Sequence, residues 1–395
     1  MIAGEASGDS HGAKLVQSIK QKNSQIQFIG LGGDQMQKAG VTLYVHLNDL
    51  SVVGITEVFA RRSGIFAGLR TAKKMLRQMR PDLLILIDYP DFNMIVARTA
   101  KNLGIPVLYY ISPQLWAWRS GRVKKIKRYV NHMAVILPFE ADFYRKHQVP
   151  VSFVGHPLLE HPALPVLEKK STTNELIIGL LPGSRESEIN NLLPIMSQAA
   201  DYLAGTYHSV KFLIPRAPTI RFEQINNILK RLPLKNSPHF RIVDLHARQV
   251  DQQSDLAIVA SGTATLEAAL TETPMIIIYK VSPISYHLVK MLVNVSHIGL
   301  ANLVAGQRVV PELIQDDATP ERVYETACQL LNNPLTMNQI RRKLKFIRQR
   351  LGGPGASDRT ADIALRLLNR RELHQKQKGF DLMHLQPKTT EKRKL

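Results

Sequence analysis

Short apolar runs recur along the chain and alternate with stretches whose apolar positions repeat every three or four residues. The runs are residues 26–33 (IQFIGLGG), 83–88 (LLILID), 107–112 (VLYYIS), 132–139 (HMAVILPF), 176–181 (LIIGLL), 210–215 (VKFLIP), 240–245 (FRIVDL), 256–261 (LAIVAS) and 275–281 (MIIIYKV). Runs of this length, rich in Ile, Val and Leu and bounded by Gly, Pro, Asp or Ser, predict buried strands. Strands alternating with helical stretches predict parallel sheets joined by crossover helices, the α/β class. The pattern lapses over 157–174 (PLLEHPALPVLEKKSTTN), where prolines, charge and Ser/Thr mark a linker. The expected organisation is a first α/β domain at 1–168, a second at 169–345, a helical element at 346–369 and a basic tail at 370–395. The amino end departs from the pattern. A Gly-rich turn, Gly4-Glu5-Ala6-Ser7-Gly8-Asp9, follows only Met1-Ile2-Ala3, so the first strand is expected to be incomplete.

Size and composition agree with two domains. At 395 residues the chain exceeds the length at which single cores usually split, roughly 250–300 residues. Its one cysteine, Cys328, excludes a disulfide framework and a cysteine-rich metal site. No apolar run approaches the ~18 residues of a membrane span. The net charge of +20 changes the picture more, because it is gathered in blocks. Residues 61–80 hold seven Lys/Arg and no acid, and residues 119–128 and 341–350 hold six each and no acid. Such blocks suit an anionic partner: nucleic acid, an anionic membrane or a phosphorylated substrate. Solvated helix faces would look the same.

The candidate chemistry begins at residues 176–189, LIIGLLPGSRESEI. A strand runs into Pro182-Gly183-Ser184-Arg185 and then a helix. The N–H groups of a helix start, its positive dipole end and a planar guanidinium together suit a diphosphate. A second such turn, Ser261-Gly262-Thr263, follows LAIVA and opens a helix carrying Glu267. Two phosphate-type turns with an acid one helical turn in predict a nucleotide, its diphosphate on Gly183, Ser184, Arg185, Gly262 and Thr263 and its ribose hydroxyls on Glu267. With this signature in the second of two α/β halves, the expected architecture is GT-B-like: two Rossmann-like parallel-sheet domains facing across a cleft. In that architecture the first half holds the acceptor.

On the acceptor side, Asp88-Tyr89-Pro90-Asp91-Phe92-Asn93 directly follows LLILI. Asp88 at a strand's carboxyl end suits a general base, and suits a turn residue equally. Asp91 reads as a cap or turn residue. Both tryptophans fall in Ser112-Pro113-Gln114-Leu115-Trp116-Ala117-Trp118-Arg119. Beside cations they could grip a sugar, an acyl chain or a membrane, although packing accounts for them slightly better. Residues 53–70 (VGITEVFARRSGIFAGLR) interleave Val58, Phe59, Ile65 and Phe66 with Arg61 and Arg62, as interfacial helices do. Periodicity alone favours an ordinary core-facing helix. The histidines are scattered without metal-ligand spacing, so no metal is expected.

These motifs also carry a resemblance. GEASGD, DYPDFN, SPQLWAWR, LPFE (137–140), VGHP (154–157), LPGSRESEI, SGTATLE and NLVAG (302–306) stand in the order and approximate spacing of lipid-A-disaccharide synthase, over about residues 3–365. The resemblance implies transfer of glucosamine from UDP-2,3-diacylglucosamine to the 6-hydroxyl of 2,3-diacylglucosamine 1-phosphate. The product is a β-1,6 disaccharide 1-phosphate plus UDP, formed with inversion, without metal or other cofactor, at the cytoplasmic face of the inner membrane. It further implies that Asp88 is the general base, Arg185 the diphosphate cation, and Ser184, Gly262, Thr263, Glu267 and Asn302 contacts of the uridine diphosphate. Gly4, Ser7, Gly8, Asp9, Asp91, Asn93 and Trp116 are the candidates on the acceptor side. Residues 53–70 correspond to the family's membrane-associating helix. The family's homodimers exchange carboxyl-terminal elements, here expected at 340–368. Competing readings are a UDP-N-acetylglucosamine 2-epimerase, the peptidoglycan lipid-precursor transferase, or a non-catalytic basic membrane or nucleic-acid binder. No nucleic-acid-binding signature is present, and no nucleic acid is expected.

Overall fold

A computed structural model of the chain describes residues 1–50, 57–118, 120–160, 175–281 and 297–383; the side chains of 49–50, 57–63, 117–118, 120 and 372–383 also lie outside the description. The chain forms two compact units. One comprises Met1–Pro157 and the segment from Pro354 onward, the other Leu158–Gly353.

The first unit runs β1 (Ile2–Ala3), α1 (Ala6–Lys22), β2 (Phe28–Gly32), α2 (Asp34–Lys38), β3 (Val41–His46), α3 (Leu47–Leu50), α4 (Glu57–Met79), β4 (Leu84–Ile87), α5 (Pro90–Asn102), β5 (Val107–Tyr110), α6 (Leu115–Trp118), α7 (Val123–Tyr129), β6 (His132–Val135), α8 (Pro138–Lys146) and β7 (Val151–Phe153). The second holds β8 (Leu176–Leu181), α9 (Glu186–Thr206), β9 (Val210–Pro215), α10 (Phe222–Arg231), β10 (His239–Val243), α11 (Ala247–Gln253), β11 (Leu256–Ala260), α12 (Ala264–Leu270), β12 (Met275–Tyr279), α13 (Leu300–Ala305), β13 (Glu312–Ile314), α14 (Pro320–Leu331) and α15 (Pro334–Arg350). Helix α16 (Ala356–Met383) returns to the first unit and packs on α1.

Both sheets are parallel. Their strand orders are β3-β2-β1-β4-β5-β6-β7 and β10-β9-β8-β11-β12-β13. Each order reverses once, between β1 and β4 in the first sheet and between β8 and β11 in the second. The crevice at the carboxyl end of such a reversal is where open α/β sheets bind ligands.

The strands are continuous apolar runs because helices cover both faces of the sheet. In the first unit, Leu84, Leu86, Val107, Tyr109, Met133 and Val135 point to one core, with Leu69, Ala72, Leu76, Phe92 and Val96. Ile85, Ile87, Leu108, Tyr110 and Ala134 point to the other, with Leu15, Val16, Ile19, Ala361, Ile363 and Ala364. Each fully buried Leu or Ile contributes about 1.5–3 kcal/mol relative to exposure.

Strand β1 is only two residues long, yet it is central. Ile2 pairs with Leu31 on one side and Leu86 on the other. The Met1 nitrogen donates to the Ile29 carbonyl at 2.6 Å, which continues the pairing of β1 with β2.

Helix α4 corrects part of the membrane expectation. Ile65 packs against the first core, because it shares the phase of Leu69, Ala72 and Leu76. Phe66, one position on, is 67 % exposed. The side chains of Val58, Phe59, Arg61 and Arg62 lie outside the described residues. Among the described residues, no helix is long and apolar enough to cross a membrane.

Candidate active site

In the second unit, the two turns expected to hold a diphosphate flank the sheet's reversal. Residues 182–185 leave β8 and residues 261–263 leave the adjacent β11, which pairs with it from Leu256–Ile178 to Val259–Leu181. Gly183 has φ +111°, and a Cβ there would lie 2.1 Å from Glu188 Oε2, so only glycine fits. Among the described residues, a Cβ on Gly262 would meet nothing within 4 Å, which suits that backbone to the approach of a ligand. Thr263 is exposed at the start of α12.

The first turn is not left as bare N–H groups. Glu188, in the first turn of α9, accepts from the amides of Ser184 at 3.0 Å and Arg185 at 3.3 Å. Its other oxygen accepts from Arg185 Nη1 at 3.2 Å. An internal carboxylate thus sits where an anion would be held. The Ser184 carbonyl accepts from Thr219 Oγ1 at 2.6 Å, which ties the turn to the segment after β9. The Arg185 side chain is 74 % exposed, so one solvated ion pair is its main tether.

Glu267 lies on α12 with its side chain 13 % exposed, and His246 Nδ1 stands 3.7 Å from its Oε2. Burial raises the Glu267 carboxyl, and His246 and Arg248 partly offset this. Behind it, Asp251 on α11 is fully buried, and among the described residues neither carboxyl oxygen has a hydrogen-bond partner. Burial, helped by the nearby Glu267 charge, pushes the Asp251 carboxyl well above the usual carboxylate range. The run of the sequence gives no signal that His246, Arg248 and Asp251 gather around Glu267.

Asn302 corrects its expected role as a direct ligand contact. Its amide donates to the Val310 carbonyl and to Glu312 Oε1 at 2.9 and 2.8 Å, and accepts from the amides of Val309 and Val310 at 2.8 and 3.1 Å. With all four positions filled, the side chain fixes the surrounding backbone and has no atom left for a ligand.

In the first unit, the acceptor-side motifs flank the other reversal. Gly4 follows β1, and Asp88 follows β4. The Tyr89 ring lies so close over Gly4 that a Cβ there would fall 2.2 Å from it. Ser7 is exposed in the first turn of α1, and Gly8 is buried against Ala3 and Ile87. Asp9 turns inward. It is 5 % exposed and accepts from the amides of Gly33, Gln35 and Met36 at 2.7, 3.0 and 3.0 Å. That carboxylate caps α2 and is committed to the fold, not to an acceptor.

Asp88 and Tyr89 are both left-handed, at φ +46° and +49°. For non-glycine residues this costs about 1–3 kcal/mol each. The Asp88 carbonyl accepts from Asn93 Nδ2 at 2.6 Å and from Tyr109 Oη at 2.7 Å. Asn93, expected at the acceptor, is instead fully buried behind Asp88. Asp91 is exposed in the first turn of α5 and pairs with Arg122 at 2.5 Å. Trp116 packs inward, edge-on to Phe139 at 4.7 Å, with its indole N–H on Glu140. Trp118 lies outside the described side chains.

A family model described as lipid-A-disaccharide synthetase matches residues 1–364. The chain is 44 % identical over 381 residues to the lipid-A-disaccharide synthase of Syntrophus aciditrophicus, covering 94 % of this chain and 97 % of that protein. It is 41 % identical over 375 residues to the Coxiella burnetii enzyme of the same name, covering 93 % and 98 %. Among solved structures, Acinetobacter baumannii MurG is similar at 15 % identity with a TM-score of 0.55, covering 91 % of this chain and 97 % of that one. The calicheamicin glycosyltransferase CalG4 is similar at 16 % identity with a TM-score of 0.60, covering 94 % and 96 %. These structural likenesses show the GT-B fold.

Proposed function

The chain belongs to the lipid-A-disaccharide synthetase family, and on that premise we propose its substrates and mechanism. It is a glycosyltransferase of lipid A disaccharide synthesis, which sets aside the non-catalytic reading and the epimerase. The proposed donor is UDP-2,3-diacylglucosamine and the proposed acceptor 2,3-diacylglucosamine 1-phosphate. The acceptor's 6-hydroxyl oxygen attacks the donor's anomeric carbon opposite the leaving group. The bond from that carbon to the β-phosphate oxygen breaks, and its electron pair departs with UDP. Asp88 takes the hydroxyl proton. The anomeric centre inverts, and the product is the β-1,6 disaccharide 1-phosphate.

The observation that carries this reading is the pair of turns at the β8–β11 reversal, with Glu267 one helical turn into α12. Arg185 follows the charge that develops on the leaving diphosphate, a role its exposed, singly tethered guanidinium suits. No metal is needed for that step. Glu267 receives the ribose hydroxyls, and Asn302 serves the site through the backbone it fixes.

A peripheral seat on the cytoplasmic face of the inner membrane belongs to the same proposal. It lets the acyl chains of both substrates remain in the bilayer. Exposed Phe66 beside exposed Arg70 on α4 supports it. The homodimer is carried by the family resemblance alone.

The test is UDP release by the purified chain in detergent or vesicles, with both lipids and EDTA present and Asp88→Ala as control. UDP and a disaccharide phosphate, lost in the variant, are expected. Turnover abolished by EDTA would overturn the metal-free mechanism. Full activity in Asp88→Ala would overturn the base.

A further inference from the structure

We infer that Tyr109 and Asn93 are positioning residues for Asp88: they hold its backbone in the left-handed conformation that aims the carboxylate. The inference rests on the reading of Asp88 as the base.

Two consecutive left-handed, non-glycine residues at a strand's end do not persist unless their surroundings hold them. Here the hold is specific. The Asp88 carbonyl meets two donors, Asn93 Nδ2 at 2.6 Å and Tyr109 Oη at 2.7 Å. Asn93 Nδ2 also reaches the Ile87 carbonyl at 3.2 Å, so one amide spans the last carbonyl of β4 and the first of the turn.

Both donors come from rigid places. Tyr109 is on β5, paired beside Leu86 of β4, and Asn93 is on the first turns of α5. Both are fully buried. Burial, with the Asp88 charge adding to it, raises the Tyr109 phenol well above its ordinary range, so it stays an O–H donor at any working pH. Tyr109 and Asn93 spend these donors on backbone, so they act on Asp88 through its main chain.

Without either donor, the half-buried carbonyl is left short of a partner and the peptide is free to turn toward ordinary φ values. The Asp88 side chain would then leave the line of the acceptor hydroxyl. Misplacement by about 1 Å costs on the order of 100-fold in rate.

The experiment compares Tyr109→Phe, Asn93→Ala and Asp88→Asn in the full chain, with both lipids, following kcat, both KM values, UDP affinity and melting temperature. Tyr109→Phe is expected to lower kcat roughly 10- to 100-fold, with KM and UDP affinity unchanged and the fold retained. In an Asp88→Asn background it should add no further loss.

A Tyr109→Phe protein with wild-type kcat, beside an inactive Asp88→Asn, overturns the positioning role and leaves the base standing. An Asp88→Asn protein that keeps its rate overturns the base itself. A raised acceptor KM with unchanged kcat makes Tyr109 a substrate contact and overturns the inference. If Tyr109→Phe does not fold, Asn93→Ala decides by the same criteria. Unfolding of both assigns them to the framework alone and overturns it too.

Discussion

Trp116 donates its indole N–H to Glu140 at 3.1 Å, so the tryptophan motif and the LPFE motif are joined through one buried carboxyl group. The amide of Leu137 donates to the other Glu140 oxygen at 3.1 Å. Burial nonetheless outweighs both bonds and pushes Glu140 up to about 8. The acid is therefore largely protonated in the folded chain at neutral pH and ionised in the unfolded one.

That difference fixes the sign of a pH effect. A carboxyl whose folded pKa is raised stabilises the fold fully below its unfolded value, about 4.5, and the contribution is lost as pH rises through about 8. The melting temperature should fall between pH 6 and pH 9. Glu140→Gln should flatten that fall, at a cost of about 1 kcal/mol at pH 6 for an imperfect hydrogen bond. Thermal melts across that range decide it; an equally steep fall in the variant would assign the dependence elsewhere.

Arg185 is tethered by little, and its side chain is mostly in solvent. Arg185→Ala should leave the melting temperature nearly unchanged and slow turnover at least ~100-fold, as loss of a donor to developing charge does. Arg185→Lys should recover only part of the rate, because a point charge replaces a planar fork. Steady-state kinetics with UDP release as the readout checks both, and a folded Arg185→Ala protein at near-normal rate removes Arg185 from the mechanism.

Glu188 occupies the amides that a diphosphate would want. Glu188→Gln keeps the shape and removes the charge. UDP should bind several-fold tighter, a gain on the order of 1 kcal/mol, while the weakened cap lowers stability by about the same amount. Calorimetric titration with UDP beside a thermal melt separates the two effects. Weaker UDP binding would mean that the carboxylate organises the turn more than it blocks it.

Asp251 is fully buried, and neither oxygen of its carboxyl group finds a hydrogen bond among the described residues. A buried acid in that condition is a net cost to the fold. Asp251→Leu should raise stability by roughly 1–3 kcal/mol. Chemical denaturation measures it, and a loss of stability would show that the acid has a bond partner in solution, such as a water.

The central strands were legible because helices cover them on both sides. LLILI and LAIVA are apolar at every position, and each falls in the middle of its sheet. Apart from the two-residue β1, which is central, the strands without such a run, β3, β7 and β13, lie at sheet edges, where the pattern thins to VTLYVH, VSF and ELI. The glycine turns were legible for a local reason, since Gly183 itself carries the positive φ that the turn requires. Tyr109, Glu140 and His246 were not. Tyr109 reads as one more apolar strand residue, and its bond to Asp88 spans 21 positions. Glu140 does carry a local sign, an acid at the third position of a helix opened by Pro138. Its burial and its bond to Trp116 do not follow from that sign. Asn302 differs for the opposite reason: its place in a matching motif suggests a ligand contact, and its amide is spent inside the fold.

Helix α16 has a consequence for how the protein is made. Ala356, Ala361, Ile363 and Ala364 complete the core that Leu15, Val16 and Ile19 begin. On the ribosome, the unit started first is therefore finished last. All of Leu158–Gly353 is synthesised while that apolar face waits uncovered. A chain released before α16 emerges lacks the residues that complete this core, so the first unit can close only after translation has passed the second.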